Sequence, residues 1–292
     1  MTATLQFATP IDAWRYGEFR LSAVPAAPSI PAEFDLRIGV DIPAEAGRYH
    51  LYGGRFCPST HRLEIIRRLG GLESAVSVSY VHGLRDARGW AFRPATGPDP
   101  INGFTLLRQA YQAVDPNYSG QVSVPVLWDR VAGGISSTNP VNIGLDLISR
   151  FGAPIESLYA PSDQEHIEAF ASWSRAAFSR GIPRAAAGGQ AALDLVAALG
   201  ELNRSLTDHP FVLGNRLTDA DIRLWVVLVR YDCGPNAQGR LGPRLTTFPA
   251  IWDWARGLYA RRAFSDSTDF SSFAAPLAAI PDWGDGVVTK AS

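Results

Sequence analysis

The chain has 292 residues, of which 46% are hydrophobic and 19% are charged, and its formal net charge at pH 7 is −1. This composition is typical of a soluble globular protein with one large or two ordinary domains, and it excludes intrinsic disorder. The near-neutral charge also excludes the basic surface that binding to nucleic acid or to an anionic membrane requires.

Cysteine usage and the lack of targeting signals predict a cytoplasmic protein. Cys57 and Cys233 are too few for a disulfide framework and favour a reducing compartment. Residues 1–6 lack the basic and apolar regions of a secretory signal, and no segment reaches the roughly 20 apolar residues that span a bilayer. Because the five histidines are scattered singly, no metal site is expected. No bound cofactor is expected either.

The first half of the chain predicts an α/β domain. Residues 1–44 carry five prolines and little periodicity, which indicates an extended arm or a cover over another element. Beyond them the pattern alternates between strands and helices, which predicts a small mixed sheet flanked by helices. The predicted strands cover residues 49–52, 76–81, 121–129 (interrupted by Pro125) and 135–137, and the predicted helices cover residues 57–69, 104–114 and 141–150.

After Ala153-Pro154 the strand signals stop and helical periodicity takes over. Thr218 and Asp221 form a pair typical of a capping box at the start of one helix. The sequence therefore predicts an arm over residues 1–44, an α/β domain over 45–155 and an all-helical domain with a C-terminal tail over 156–292. The predicted helices cover residues 164–178, 187–206, 219–230 and 250–258.

Cys57 is the strongest candidate for chemistry. It follows a predicted strand and the Gly53-Gly54 turn, and Pro58 suits the first position of a helix. A helix N-terminus presents unpaired N–H groups and partial positive charge, which favour thiolate over thiol, and Arg55 can add charge nearby. We predict that Cys57 is a nucleophile; the alternative, a small buried hydrophobic residue, stays open.

These motifs resemble the glutathione transferase superfamily and, more narrowly, its Xi class, the glutathionyl-hydroquinone reductases. The resemblance covers roughly residues 44–262 and implies a thioredoxin-like, thiol-binding first domain followed by an all-helical substrate domain. It rests on residues 44–52, the Cys57-Pro58-x-x-His61-Arg62 core, and residues 115–120, 122–129 and 217–224.

The resemblance also implies roles for particular residues. The family uses its cysteine for thiol exchange, so Cys57 would attack the sulfur of a glutathionylated substrate and hold glutathione as a mixed disulfide. Val124, before a cis Pro125, would offer its backbone N–H and C=O to the thiol peptide; a plain edge-strand proline is the alternative. Arg55 would bind a carboxylate or stabilise the thiolate, unless it is simply a surface residue.

Ligand-contacting positions depart from the family pattern. Asn139-Pro140 stands where the family has an acid and a serine for the γ-glutamyl group, and Ser59 stands where it has a tryptophan that stacks on the substrate. Pro183 stands where the family has one tyrosine near the substrate. The segment around Tyr231 lacks the second tyrosine that the family has near the substrate. Ser59 and Tyr231 are the candidate substrate-pocket residues. For Tyr231 the alternative is that it packs in the hydrophobic core.

The sequence thus predicts an enzyme, a thiol-dependent oxidoreductase or transferase acting on an aromatic, electrophilic or disulfide substrate. Glutathione is the implied cosubstrate, with Asn139 in its site. Mycothiol is the alternative that Asn139 suggests, because its cysteine carries no free γ-glutamyl ammonium. A second interpretation is a non-catalytic ligand-binding or structural protein that keeps the fold. Homodimer formation and the role of Cys233 stay open.

Overall fold

The computed structural model describes residues 34–284, and the chain separates into two compact units on either side of Ala153 and Pro154. The first unit contains a sheet with flanking helices, and the second is built from helices. Residues 1–33 of the expected N-terminal arm and residues 285–292 of the expected tail lie outside the described part of the chain.

A four-stranded sheet organises the first unit, with the strand order β2-β1-β3-β4. β1 and β2 are parallel, as a strand–helix–strand crossover requires, whereas β3 is antiparallel to both of its neighbours. The predicted mixed sheet is therefore confirmed. The strands are β1 (Tyr49–Gly53), β2 (Val76–Tyr80), β3 (Val126–Asp129) and β4 (Gly134–Ser137).

Three helices accompany this sheet: α1 (Pro58–Leu69), α2 (Arg108–Val114) and α3 (Pro140–Ser149). α1 packs against α3, and α2 contacts β4. α2 begins later than predicted because residues 105–107 pair with residues 90–92: the Phe92 N–H donates to the Thr105 C=O at 3.0 Å, and the Leu107 N–H donates to the Trp90 C=O at 2.9 Å. The Gln109 side chain accepts the N–H groups of Thr105 and Leu106.

The strand predicted over residues 121–129 forms only from Val126 onward. Pro125 has no N–H to donate to a ladder, so the segment before it remains outside the sheet. The ring of Tyr52 on β1 is buried against Phe92 and Trp128, and its hydroxyl donates to Asp99 Oδ1 at 3.0 Å. These aromatic contacts form the core of the first unit.

The second unit is helical, as predicted. The helix expected over residues 187–206 begins at Gln190, after Gly188 and Gly189 adopt positive φ angles of 73° and 61°. Within residues 34–284 no helix is long and apolar enough to cross a membrane. The helices are α4 (Gln164–Ser174), a π-helical turn (Arg175–Ser179), α5 (Gly181–Ala185), α6 (Gln190–Asp208), α7 (Asp219–Leu228), α8 (Pro249–Tyr259) and α9 (Arg262–Ser265).

The predicted capping box at the start of α7 is confirmed. The buried Asp221 carboxylate accepts the Thr218 N–H at 3.0 Å. It also accepts the Val212 N–H at 2.9 Å and the Trp254 indole N–H at 3.0 Å. One carboxylate thus caps α7 and joins it to α8, which makes the motif a folding device.

Candidate active site around Cys57

Cys57 lies immediately before the first turn of α1. Its N–H donates to the Gly54 C=O at 2.9 Å, and its C=O accepts the His61 N–H at 3.0 Å. Pro58 occupies the first helical position, as predicted, and the first turn contains no acidic side chain. The thiol is half-buried at the N-terminus of a 12-residue helix, where the partial positive charge of the helix dipole lies.

The turn before Cys57 requires glycine because α1 lies very close to it. A Cβ added at Gly53 would lie under 3.0 Å from Thr60 Cγ2, and one added at Gly54 would overlap the Phe56 ring. The Gly54 N–H donates to Thr60 Oγ1 at 3.2 Å. The first turn of α1 is therefore held against the end of β1, and this contact determines where the thiol lies.

The Cys57 thiol faces the backbone of the segment that precedes β3. Its Sγ lies 3.7 Å from the Val124 carbonyl oxygen, and the Val124–Pro125 peptide bond is cis, as predicted. Among the described residues the Val124 N–H donates to no protein acceptor, and its C=O accepts only from this thiol. Both backbone groups of Val124 are thus open to a peptide-like ligand beside the sulfur.

Two arginines near Cys57 have different roles. Arg55 is exposed, and its guanidinium lies 4.2 Å from the centre of the Tyr80 ring. Burial raises the pKa of Tyr80, and the Arg55 cation opposes that rise. Arg62 is buried and donates to the Pro140 C=O at 2.8 Å, so it joins α1 to the start of α3.

Asn139, expected in the thiol site, caps α3. Its side-chain oxygen accepts the N–H groups of Val141 at 3.1 Å and Asn142 at 3.3 Å. Its side-chain nitrogen donates to Asp35 Oδ2 at 3.2 Å. Both acceptor positions of the amide oxygen and one of the two amide N–H donors are therefore engaged, and a carboxylate from a distant part of the sequence lies directly beside the amide.

The sequence pattern did not single out Asp35, because it indicates only an extended arm or a cover over residues 1–44 and leaves the role of that segment open. Backbone hydrogen bonds place this segment along β4: the Leu36 N–H donates to the Ser136 C=O at 3.0 Å, and the Thr138 N–H donates to the Phe34 C=O at 2.8 Å. No motif marks Asp35 in the sequence, because its position depends on pairing with a strand about 100 residues later.

An aromatic pair that includes Phe56, the residue before Cys57 in the sequence, was also missed. The Phe56 and Trp90 rings stack with their centres 4.6 Å apart and their planes at 25°. The Arg85 guanidinium lies 5.4 Å from the centre of the Trp90 ring, and burial lowers the pKa of Arg85. Ser59, the predicted pocket residue on the first turn of α1, is half-buried and supplies no ring.

The remaining predicted residues lie in the helical unit. Tyr231 is 1% exposed, its hydroxyl has no hydrogen-bond partner among the described residues, and burial raises its pKa to about 12. Its assignment to a substrate pocket stays a prediction. Cys233 is fully buried, its thiol donates to the Val229 C=O at 3.6 Å, and burial raises its pKa to about 11. Between Phe34 and Gly284 no group of three or more His, Cys, Asp or Glu side chains could hold a metal ion.

Comparison with known proteins identifies the family. Residues 168–257 match the family model "Glutathione S-transferase, C-terminal domain". The chain is 39% identical over 240 residues to glutathionyl-hydroquinone reductase YqjG of Escherichia coli (strain K12), an alignment that covers 78% of this chain and 73% of that relative. The chain belongs to the glutathione transferase superfamily. The Xi-class resemblance drawn from the sequence is confirmed.

Further relatives agree with this assignment. Glutathionyl-hydroquinone reductase PcpF of Sphingobium chlorophenolicum is 38% identical over 199 residues, which is 64% of each chain. The glutathione-bound structure of YqjG has a TM-score of 0.74 at 33% identity, covering 78% of this chain and 79% of that chain. The Xi-class transferase of Phanerochaete chrysosporium has a TM-score of 0.77 at 27% identity, covering 88% and 96%.

The expected fold, a thioredoxin-like domain followed by a helical domain, is confirmed. The expectation that the protein is an enzyme of the glutathione transferase type is also confirmed. Its first unit brings together Cys57, Val124 and Pro125, as the sequence predicted. Asn139 lies at the start of α3, where it acts as a helix cap.

Proposed function

We propose that this glutathione transferase is a thiol-dependent reductase in which Cys57 forms a mixed disulfide with glutathione and so removes glutathione from an aromatic substrate. The observation that carries the proposal is the half-buried Cys57 thiol at the N-terminus of α1, 3.7 Å from the carbonyl of Val124. The names of PcpF and YqjG, both glutathionyl-hydroquinone reductases, supply the substrate class.

The Val124 backbone supports a peptide-like thiol as cosubstrate. A cysteine residue within a peptide carries one N–H and one C=O, and these match the C=O of Val124, which otherwise accepts only from the Cys57 thiol, and the Val124 N–H as an antiparallel pair. Such pairing would bring the ligand's sulfur to Cys57. In this role Val124 and the adjoining Pro125 bind the cosubstrate, and Arg55 offers an exposed cation to its carboxylates.

The proposed chemistry uses one cysteine and two glutathione groups. The Cys57 thiolate attacks the sulfur of a glutathionyl-hydroquinone, a sulfur–sulfur bond forms, and the carbon–sulfur bond breaks. The electron pair of that bond remains on the ring carbon, which takes a proton and yields the free hydroquinone. A second glutathione thiolate then attacks the mixed disulfide, releasing glutathione disulfide and regenerating the Cys57 thiolate.

Both cysteines are free thiols, as a reducing cytoplasm would keep them. We assign thiol binding to the first unit and substrate binding to the second. The competing candidate is a binding protein without turnover, which the engagement of the Asn139 amide favours.

The test is turnover of a glutathionyl-hydroquinone in the presence of glutathione, with both products measured. The proposal predicts equal amounts of hydroquinone and glutathione disulfide. Cys57→Ser should reduce the rate to background, whereas Cys233→Ser, at the buried thiol, should leave it unchanged. Binding of the substrate without either product would establish the binding-protein alternative, and activity in Cys57→Ser would refute the role of Cys57.

A further inference from the structure

The segment that carries Asp35 is fixed on both sides of that residue. Asp35 itself forms an antiparallel bridge with Ser137 at the end of β4. Two residues later, Arg37 binds the buried Asp146 carboxylate of α3 through Nε at 3.0 Å and Nη2 at 2.6 Å. The Ile38 N–H donates to the same carboxylate at 2.9 Å. The position of Asp35 at the start of α3 is therefore determined by the fold.

The Asp35 carboxylate has capacity for a cation. It accepts the side-chain N–H groups of Asn139 at 3.2 Å and Asn142 at 2.8 Å. A carboxylate can accept about four hydrogen bonds, so roughly two positions remain. Within residues 34–284 no basic group forms an ion pair with Asp35, because the neighbouring Arg37 is paired with Asp146. Hydrogen bonding to Asp146 is the main cause that raises the pKa of Arg37.

Cys57 and the Asp35 carboxylate lie at the starts of α1 and α3, two helices that pack against each other. Arg62, five residues after Cys57 on α1, donates to the carbonyl of Pro140, the residue next to Asn139. A helix rises about 1.5 Å per residue, so Arg62 lies roughly 8 Å along α1 from Cys57. In glutathione the sulfur lies on the central cysteine, and the γ-glutamyl arm beyond it extends by roughly 7 Å, the length of two residues. A thiol with its sulfur at Cys57 would therefore direct its ammonium along α1 towards the start of α3.

From these observations we infer that Asp35 binds the free ammonium of the thiol cosubstrate, and this inference rests on the proposed function. Glutathione carries one cationic group, the ammonium at its γ-glutamyl end, and a half-buried carboxylate is its natural partner. The acid that Asn139 does not provide is thus supplied by a segment about 100 residues earlier. Asp35 selects thiols that carry an ammonium, such as glutathione, over thiols that are acylated at that position, such as mycothiol.

A comparison of two thiols isolates this contact. One is glutathione, and the other is its deamino analogue glutaryl-cysteinyl-glycine, which lacks only the ammonium. The readout is the rate at which each disulfide forms a mixed disulfide on Cys57, measured by intact mass. Wild type should react about 10- to 100-fold faster with the glutathione disulfide. Asp35→Asn should lose that preference, because it should lower the rate with the glutathione disulfide and leave the rate with the deamino analogue unchanged.

Asp41→Asn is the matched control, because Asp41 is an exposed acid in the same segment that accepts the Arg37 N–H. It should keep the full preference, and the thermal melting temperature should show that both variants are folded. An Asp35→Asn variant that keeps the preference, or that slows both thiols equally, overturns the role of Asp35 while leaving the proposed function intact. A wild-type protein that forms no Cys57 disulfide with either thiol overturns both.

Discussion

Replacing Gly53 with alanine tests how closely the thiol-bearing helix approaches the sheet. The new Cβ would lie under 3.0 Å from the Cγ2 methyl of Thr60, which is buried in the first turn of α1. Gly53 does not have a positive φ angle, so the backbone itself accepts alanine. The cost therefore comes from one steric contact between the end of β1 and the helix that positions Cys57.

The expected magnitude follows from that single contact. Overpacking in a tight interior typically costs about 1–3 kcal/mol, and replacing glycine by alanine gains about 0.4–1 kcal/mol through the unfolded chain. Gly53→Ala should therefore lower the free energy of unfolding by about 1–2 kcal/mol. In a Thr60→Ser background the methyl is gone, and the nearest Thr60 atoms to the new Cβ, Oγ1 and Cβ, lie at 3.4 and 3.5 Å. There the same change should cost about 0.5 kcal/mol or less.

The assay is a double-mutant cycle of urea unfolding at Gly53 and Thr60. Serine keeps the hydroxyl that accepts the Gly54 N–H, so Thr60→Ser alone should lose only about 1 kcal/mol for one buried methyl. A coupling energy of about 1–2 kcal/mol is expected. Gly200→Ala on α6, where nothing lies within 4 Å of the new Cβ, should be neutral or stabilising. Equal costs of Gly53→Ala in both backgrounds would refute the reasoning.

Three further changes test the electrostatics and packing of the two units. Burial lowers the pKa of His50 from 6.5 to about 4, so between these pH values the unfolded chain binds a proton that the native state does not. The free energy of unfolding should therefore fall by up to about 3 kcal/mol as pH drops from 6.5 to 4. In His50→Gln, urea unfolding should show a weaker dependence of that free energy on pH in this range. Asp221→Ala leaves the Trp254 indole N–H without its acceptor and should cost about 3 kcal/mol or more in urea unfolding. Gly144→Ala would place a Cβ 2.7 Å from Arg62 Cζ and should cost about 1–3 kcal/mol by thermal melting.

Each of these has its own control and contrary outcome. An unchanged acid slope in His50→Gln would show that other groups bind the protons. Thr207→Ala, at an exposed site on α6, controls for Asp221→Ala and should cost less than about 0.5 kcal/mol. Gly257→Ala on α8 meets nothing within 4 Å, so a cost equal to that of Gly144→Ala would mean that the Arg62 contact is unimportant.

The sequence was sufficient for features encoded by neighbouring residues. The strand, glycine turn and proline around Cys57 predict the start of α1, and Thr218 with Asp221 predicts the start of α7. A boundary prediction failed where a contact with another segment intervened, as at α2, where residues 105–107 pair with residues 90–92 and do not begin the helix. Local patterns therefore predicted the elements better than their ends.

Features that depend on distant pairing could not be predicted. Asp35 is placed by its bridge to Ser137, and no local pattern encodes that contact. The sequence shows that Asn139 is not an acid, and this suggests mycothiol as an alternative cosubstrate, whereas the Asp35 carboxylate beside Asn139 is visible only in the fold. The stacking of Phe56 on Trp90 likewise joins two loops whose approach follows only from the folded sheet.

The most direct test of the account is the intact mass of the protein after incubation with oxidised glutathione at neutral pH. We expect one glutathionyl group on the wild type and on Cys233→Ser, removal of that group by reduced glutathione, and none on Cys57→Ser. Oxidised mycothiol should react more slowly with the wild type. Absence of the adduct on the wild type, or its presence on Cys57→Ser, would contradict the claim that Cys57 is the reacting thiol.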